Sequence, residues 1–268
     1  MTAPEPDPEA LLALALDVAA EAAALLMDGR DGVTTAATKS SPTDVVTAMD
    51  RASEQLIVRR LLVARPDDGI LGEEGAARTG TSGVRWVIDP LDGTVNYLYG
   101  LSPWAVSVAA EVAGVVVAGV VHAPVLGDVW TAVRGGGAWL GGRRLAGSQR
   151  TELAQAMCAT GFGYEASRRA RQAAVLTRVL PRVRDIRRYG AASVDLCLAA
   201  GGIVDVYYER GLHPWDLAAA GLVAEEAGLT VCGLDGAPAG SELVVAAPVA
   251  LVGELLDLLG EQPRADTY

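Results

Sequence analysis

A chain of 268 residues with 51% apolar and 21% charged residues has the composition of a soluble globular protein and the length for a substantial core. Its net charge of −11, from 33 acidic against 22 basic residues, argues against non-specific binding to nucleic acid or membrane, which needs a positive surface. An anionic substrate would need something other than bulk charge to attract it, and a bound divalent cation would serve.

Residues 1–8 read as a loose acidic, proline-rich tail and 9–28 as an Ala- and Leu-rich helix ending at Asp28-Gly29. Asp17 and Glu21 interrupt its apolar run, so neither a signal peptide nor a membrane span is expected, and the cytoplasm is the default location. The polar stretch Thr34–Thr47, with Pro42 breaking any helix, precedes helical spacing over Met49–Ala64. Two short apolar runs, Gly69–Leu71 and Arg85–Ile88, each lead into acidic residues. Val106–Glu111 with Val115–His122 reads as a hairpin, and Val129–Val133 with Ala138–Leu140 as another. The C-terminal half alternates: strand Met157–Thr160, helix Ala166–Leu180, strand Val183–Arg188, helix Ser193–Ala200, strand Ile203–Tyr208 and helix Trp215–Ala227. Strands near Thr230–Cys232 and Leu243–Val245 close the series. No repeat or long linker intervenes, so a mixed α and β architecture is expected over 1–268, as one domain or two tightly joined lobes meeting near residue 150.

Cys158, Cys197 and Cys232 lie far apart and form no CxxC pair, and His122 and His213 are the only histidines. That set argues against zinc, which prefers nitrogen and sulfur ligands, and for buried free thiols.

The densest chemical feature is Trp86-Val87-Ile88-Asp89-Pro90-Leu91-Asp92-Gly93-Thr94. A buried strand would run to Asp89, Pro90 would stop its ladder, and Asp92-Gly93-Thr94 would turn the chain toward a helix start. Such an end can aim both carboxylates into one cleft and leave N–H groups at Gly93 and Thr94 for a phosphate oxygen. Taken alone, Asp-Pro and Asp-Gly are ordinary turn formers. In isolation Glu73 and Glu74, within Leu71-Gly72-Glu73-Glu74-Gly75, read as a solvated turn. Asp216, in His213-Pro214-Trp215-Asp216, reads equally as a helix cap. Lys39 and Asp50 look like exposed loop or helix-start residues.

Together these acids have a joint reading. Carboxylates brought within a few ångströms repel one another, and their pKa values rise unless cations neutralise them. Oxygen-only ligands select magnesium, manganese or calcium over zinc. Two ions sharing Asp89 would clamp a phosphate and activate a water, which a hydroxyl such as Thr94 would orient if a carboxylate took its proton. Spacing alone does not bring these segments together.

Along nearly its whole length the chain resembles the inositol monophosphatase family, especially the bacterial, actinomycete-type inositol-1-monophosphatases. The signature W-[IV]-[IL]-D-P-[IL]-D-G-T-x-N-[FY] stands at Trp86 to Tyr97, and W-D-x-A-[AG]-[AG] at Trp215 to Ala220. Gly72-Glu73-Glu74 matches G-E-E, and Lys39, Asp44, Val46, Thr47 and Asp50 match K-x₄-D-x-V-T-x₂-D.

The resemblance implies a layered α-β-α-β-α sandwich of the inositol monophosphatase/fructose-bisphosphatase type, assembled as a homodimer. It implies magnesium, with manganese as a substitute, and sensitivity to lithium. Glu73, Asp89 and the Leu91 carbonyl would hold one ion, Asp89, Asp92 and Asp216 a second, and a third, weaker one would lie near Glu73. Thr94 with Asp50, helped by Glu73, would activate the attacking water. The substrate would meet Asp92, Gly93, Thr94, the loop Gly190-Ala191-Ala192, Glu209 and Asp216. The family loop commonly reads G-[ST]-A-A, whereas this chain reads Gly190-Ala191-Ala192-Ser193. The missing hydroxyl at Ala191 leaves the substrate less defined than the chemistry.

The implied reaction is magnesium-dependent hydrolysis of a phosphate monoester, with myo-inositol 1-phosphate the first candidate. Fructose 1,6-bisphosphate, histidinol phosphate and adenosine bisphosphate are the alternatives within the superfamily. A regulatory protein that binds transcription machinery is a reading of another class. A divalent-ion nuclease would want a basic groove, and the one basic cluster, Arg182, Arg184, Arg187 and Arg188, reads as a solvated strand edge or dimer surface.

Overall fold

The computed structural model describes residues 6–31, 34–38 and 45–260. Helix α1 (Pro8–Asp28) begins where Asp7 accepts the Glu9 N–H at 3.1 Å. It buries Leu11, Ala15, Val18, Ala22 and Leu26, a stripe at helical spacing. By length and composition α1 could cross a membrane, but that stripe lies in the hydrophobic core.

Strands β1 (Thr35–Thr38) and β2 (Val45–Thr47) pair antiparallel in a stretch whose sequence suggested only polar chain. Helix α2 (Ala48–Ala64) follows, opened by a capping box between Thr47 and Asp50. Next come β3 (Gly69–Gly72), β4 (Ala77–Arg78), β5 (Val84–Asp92), a short α3 (Thr94–Leu98), β6 (Ala105–Val112) and β7 (Val115–Ala123). They continue into β8 (Asp128–Val133), β9 (Gly137–Leu140) and β10 (Arg143–Arg144), so both expected hairpins are present. These strands, β1 and β2 apart, make an eight-stranded sheet in the order β10-β9-β8-β7-β6-β5-β3-β4, in which β3 and β5 run parallel.

The remaining elements are β11 (Met157–Thr160), α4 (Ala166–Val179), β12 (Asp185–Arg187), α5 (Ala192–Ala200), β13 (Val206–Glu209), α6 (Pro214–Glu226), β14 (Thr230–Cys232), β15 (Val244–Ala247) and α7 (Val249–Gly260). They build a second sheet of five strands, ordered β12-β11-β13-β15-β14.

Three apolar clusters define the layers. The first sets α1 and α2 against the outer face of the large sheet. A second joins Val87, Ala109 and Val121 to Ala159, Tyr207 and Ala246 through α5 and α6, which lie between the sheets. In the third, α4 and α7 cover the far face of the small sheet. The result is the α-β-α-β-α sandwich the resemblance implied. Small residues let α6 approach closely: a Cβ on Gly119 of β7 would stand 2.8 Å from the Ala219 Cα.

Two expectations about strands needed correction, and one helix was not expected. Pro90 does not stop its strand, because β5 runs on to Asp92 through a bulge. The strand expected at Ile203–Tyr208 begins only at Val206, and Ile203 is exposed in the preceding turn. Helix α7 went unmarked in the sequence, where its Leu-rich run follows Pro248 directly. Cys158, Cys197 and Cys232 are free and buried, as expected.

Candidate active site

The bulge in β5 assembles the first pair of acids. In a regular strand, residues three apart point to opposite faces. Asp89 pairs with Ser107 and Asp92 with Ala105, so β5 carries one extra residue and both carboxylates reach the same cavity. Ser53 secures the bulge by donating its hydroxyl to the Pro90 carbonyl at 2.9 Å. The Leu91 N–H donates to Asp89 Oδ1 at 3.0 Å.

Glu73 reaches the cavity from the end of β3. Its loop is held by Glu54, a buried residue of α2 that accepts the Glu74 N–H at 2.9 Å and the Ala76 N–H at 3.0 Å. Gly72 is required here, because any Cβ would collide with the Glu54 carboxylate. Sequence reading did not mark Glu54, whose acidic side chain looks like any exposed position of α2.

Asp50 is fully buried, not an exposed helix-start acid. It accepts the Thr47 N–H at 2.8 Å and the Thr47 hydroxyl at 2.5 Å on Oδ2, and the Thr94 hydroxyl at 2.8 Å on Oδ1. Thr94 opens α3 just after Gly93, whose φ of 90° suits glycine. Lys39 and Asp44 lie outside the described residues.

The second half of the chain closes the cavity. Asp216 is both helix cap and cavity residue: it accepts the His213 N–H at 2.6 Å, and its carboxylate lines the space facing Asp89 and Asp92. Glu209, at the end of β13, accepts the Tyr207 hydroxyl at 2.7 Å. Asp92 accepts N–H groups from Ala192 at 3.2 Å and Ser193 at 2.7 Å. Asn96, quoted above only as part of a motif, donates to the carbonyls of Pro103 at 2.7 Å and Tyr189 at 2.8 Å, tying β5 and α3 to the Gly190 loop.

The resulting cavity, about 360 Å³, is lined by Glu73, Asp89, Leu91, Asp92, Gly93, Thr94, Gly190, Ala191, Ala192, Glu209 and Asp216, with Phe162, Arg168 and Arg188 at its other side. Arg188 thus departs from the basic cluster expected at a solvated edge. Arg182 and Arg187 do pair there, with Glu254 at 2.8 Å and Asp185 at 2.6 Å. The Ala191 side chain is buried, and a Cβ on Gly93 would touch it at 3.2 Å.

Electrostatics follow from this crowding. Burial, then the charges of Glu73, Asp92 and Asp216, push the Asp89 carboxyl well above the ordinary range. Burial, then Asp92 and Glu73, do the same to Asp216. Asp92 rises to about 6, mainly by burial, with the Ser193 hydrogen bonds holding it down.

Among the described residues, no three His, Cys, Asp or Glu side chains are closed around a point in the manner of a filled metal centre. The donor set nonetheless fits a hard cation. Four carboxylates line one cavity together with Leu91, they offer oxygen donors only, and burial with mutual repulsion raises the pKa values of Asp89, Asp92 and Asp216. A divalent ion bound among them would offset the crowding of these carboxylates.

Residues 7–262 match the model of the inositol monophosphatase family. The inositol-1-monophosphatase SuhB of Mycobacterium tuberculosis H37Rv is 43% identical over 97% of this chain and 96% of its own length. A Pasteurella multocida protein named Nus factor SuhB is 38% identical over 92% of this chain and 94% of its own. Among solved structures, the extragenic suppressor protein suhB of Bartonella henselae superposes with a TM-score of 0.89 at 32% identity, covering 95% of this chain and all of that one.

Proposed function

The chain belongs to the inositol monophosphatase family and is a phosphatase; on that premise we propose that it hydrolyses the phosphate monoester of a polyol, myo-inositol 1-phosphate first, with magnesium. The observation that carries this reading is the convergence of Glu73, Asp89, Asp92 and Asp216 on one cavity beside the Thr94–Asp50 pair.

Glu73, Asp89 and the Leu91 carbonyl would hold one magnesium ion and Asp89, Asp92 and Asp216 a second, with a third, weaker one near Glu73. Bound there, magnesium would supply polarisation of the phosphate and a water of lowered pKa. The chain's own part is to orient and to move a proton. Thr94 Oγ1 accepts a hydrogen bond from the attacking water and passes its own proton toward Asp50 Oδ1, with which it already bonds. Thr47 fixes Asp50 from the other side, which holds Oδ1 toward Thr94. N–H groups of Gly93 and Thr94, at the head of α3, would hold phosphate oxygens. Glu209 would accept a ring hydroxyl, with the Gly190–Ala192 backbone alongside. Homodimeric assembly and a cytoplasmic setting complete the proposal.

A magnesium-dependent phosphate-release panel tests it, using inositol 1-phosphate, fructose 1,6-bisphosphate, histidinol phosphate and adenosine 3′,5′-bisphosphate. The expected preference is for inositol 1-phosphate. Preference for either of the last two would overturn the inositol assignment while keeping the metal site.

The relative named Nus factor motivates a second role, binding of transcription machinery. Pull-downs from native lysate with wild type and Asp89→Asn separate the two. A partner held equally by both would place that role apart from catalysis.

A further inference from the structure

Helix α5 starts at Ala192 with Ala191 as its N-cap, and Ala191 has no side chain to accept the helix's first N–H groups. Helix starts normally recruit a local Ser, Thr, Asp or Asn for this. Here the cap comes from a hundred residues upstream. Asp92, at the end of β5, accepts the Ala192 N–H on Oδ1 at 3.2 Å and the Ser193 N–H on Oδ2 at 2.7 Å. The Ser193 hydroxyl then donates a third bond to the same Oδ2 at 2.5 Å. Ser193 is fully buried, so its hydroxyl is committed to Asp92 and does not face substrate.

The order Gly190-Ala191-Ala192-Ser193 therefore has a consequence. A hydroxyl at position 191, as in the usual family order, would sit at the N-cap, where it is suited to accept an N–H of α5 itself. At position 193 it is a donor, and it loads two short bonds onto one oxygen of Asp92. Oδ1 keeps only the longer bond and is the oxygen left to a cation.

We propose that Ser193 is a positioning residue for Asp92: its hydroxyl locks the carboxylate with Oδ1 turned to the cavity, and so sets the affinity of the site for magnesium. This rests on the reading of Asp92 as a metal ligand. Groups that hydrogen-bond metal-ligating carboxylates typically matter about 10–100-fold in metal affinity.

The test is calorimetric titration of magnesium into the substrate-free, metal-stripped protein, with melting temperature followed in parallel. Ser193→Ala removes only the hydroxyl and leaves the backbone N–H. Val194→Ala, buried on the same helix turn without a bond to Asp92, is the structural control. Ser193→Ala is expected to weaken magnesium binding about tenfold. Val194→Ala is expected to lower the melting temperature while magnesium affinity stays within about twofold of wild type. The inference is overturned if Ser193→Ala also stays within that margin, or if Val194→Ala weakens binding as much, which would mean general loosening of α5. A wild type that takes up no magnesium would overturn the metal reading and this inference with it.

Discussion

The Thr94 hydroxyl donates to Asp50 Oδ1 at 2.8 Å across 44 residues of sequence, joining the head of α3 to the first turn of α2. Both residues are buried, so this contact is part of how the large sheet and its helices meet as well as part of the site. If it is the proton path for the attacking water, breaking it should slow the chemical step more than substrate binding. Thr94→Val and Asp50→Asn are each expected to lower kcat about 10²–10⁴-fold, with KM changing far less. Steady-state kinetics on inositol 1-phosphate measure both; a loss confined to KM would contradict the assignment.

Trp86, the first residue of the long signature, donates its indole N–H to Asp68 at 2.8 Å inside the core. Asp68 also accepts from Ser82 at 2.6 Å and Arg65 at 2.5 Å, so the indole is one of its three donors. Trp86→Phe keeps most of the apolar area but removes that donor and should cost about 1–3 kcal/mol. Urea unfolding reads this directly, and magnesium-dependent activity at saturating substrate should survive in the folded fraction.

Burial raises Asp92 to about 6 and Glu209 to about 7, from ordinary values of 3.8 and 4.5. The folded state then binds these protons more tightly than the unfolded chain. Their contribution to stability is full below the unfolded values and is lost as pH rises through about 6 to 7. Metal-stripped protein should therefore melt about 5 °C or more lower at pH 8 than at pH 5. Magnesium competes with the same protons, so it should raise the melting temperature more at pH 8. Differential scanning calorimetry with and without chelator checks both signs.

Glu209 lines the cavity and is held by the Tyr207 hydroxyl at 2.7 Å. If it receives a substrate hydroxyl, Glu209→Ala should raise KM for inositol 1-phosphate about tenfold, the cost of one charge-assisted hydrogen bond. Magnesium affinity without substrate should change little. Equal effects on both would place Glu209 with the metal ligands instead.

Much of this was legible in the sequence because the acids sit in contiguous motifs: Asp89, Asp92 and Thr94 lie on one strand end, and Trp215-Asp216 on one helix start. The layered fold followed from the alternation of elements and from the resemblance. Other features depend on contacts between distant segments and left no local trace. Pro90 read as a strand stop, yet it lies in the bulge that turns Asp89 and Asp92 to one face. Asp50 read as exposed because its partner Thr94 is far along the chain, and nothing local marks Glu54 because the N–H groups it holds belong to the Glu73 loop. Ser193 was visible as a departure from the family loop, but the direction of its hydroxyl was not.

The convergence of Glu73, Asp89, Asp92 and Asp216 is the centre of the account, and diffraction from crystals soaked in manganese tests it most directly. Anomalous difference peaks are expected inside the cavity, two of them sharing Asp89 as a ligand, with Asp216 and Asp92 on one and Glu73 with the Leu91 carbonyl on the other. Bound manganese elsewhere on the protein, with no peak among these four carboxylates, would contradict it.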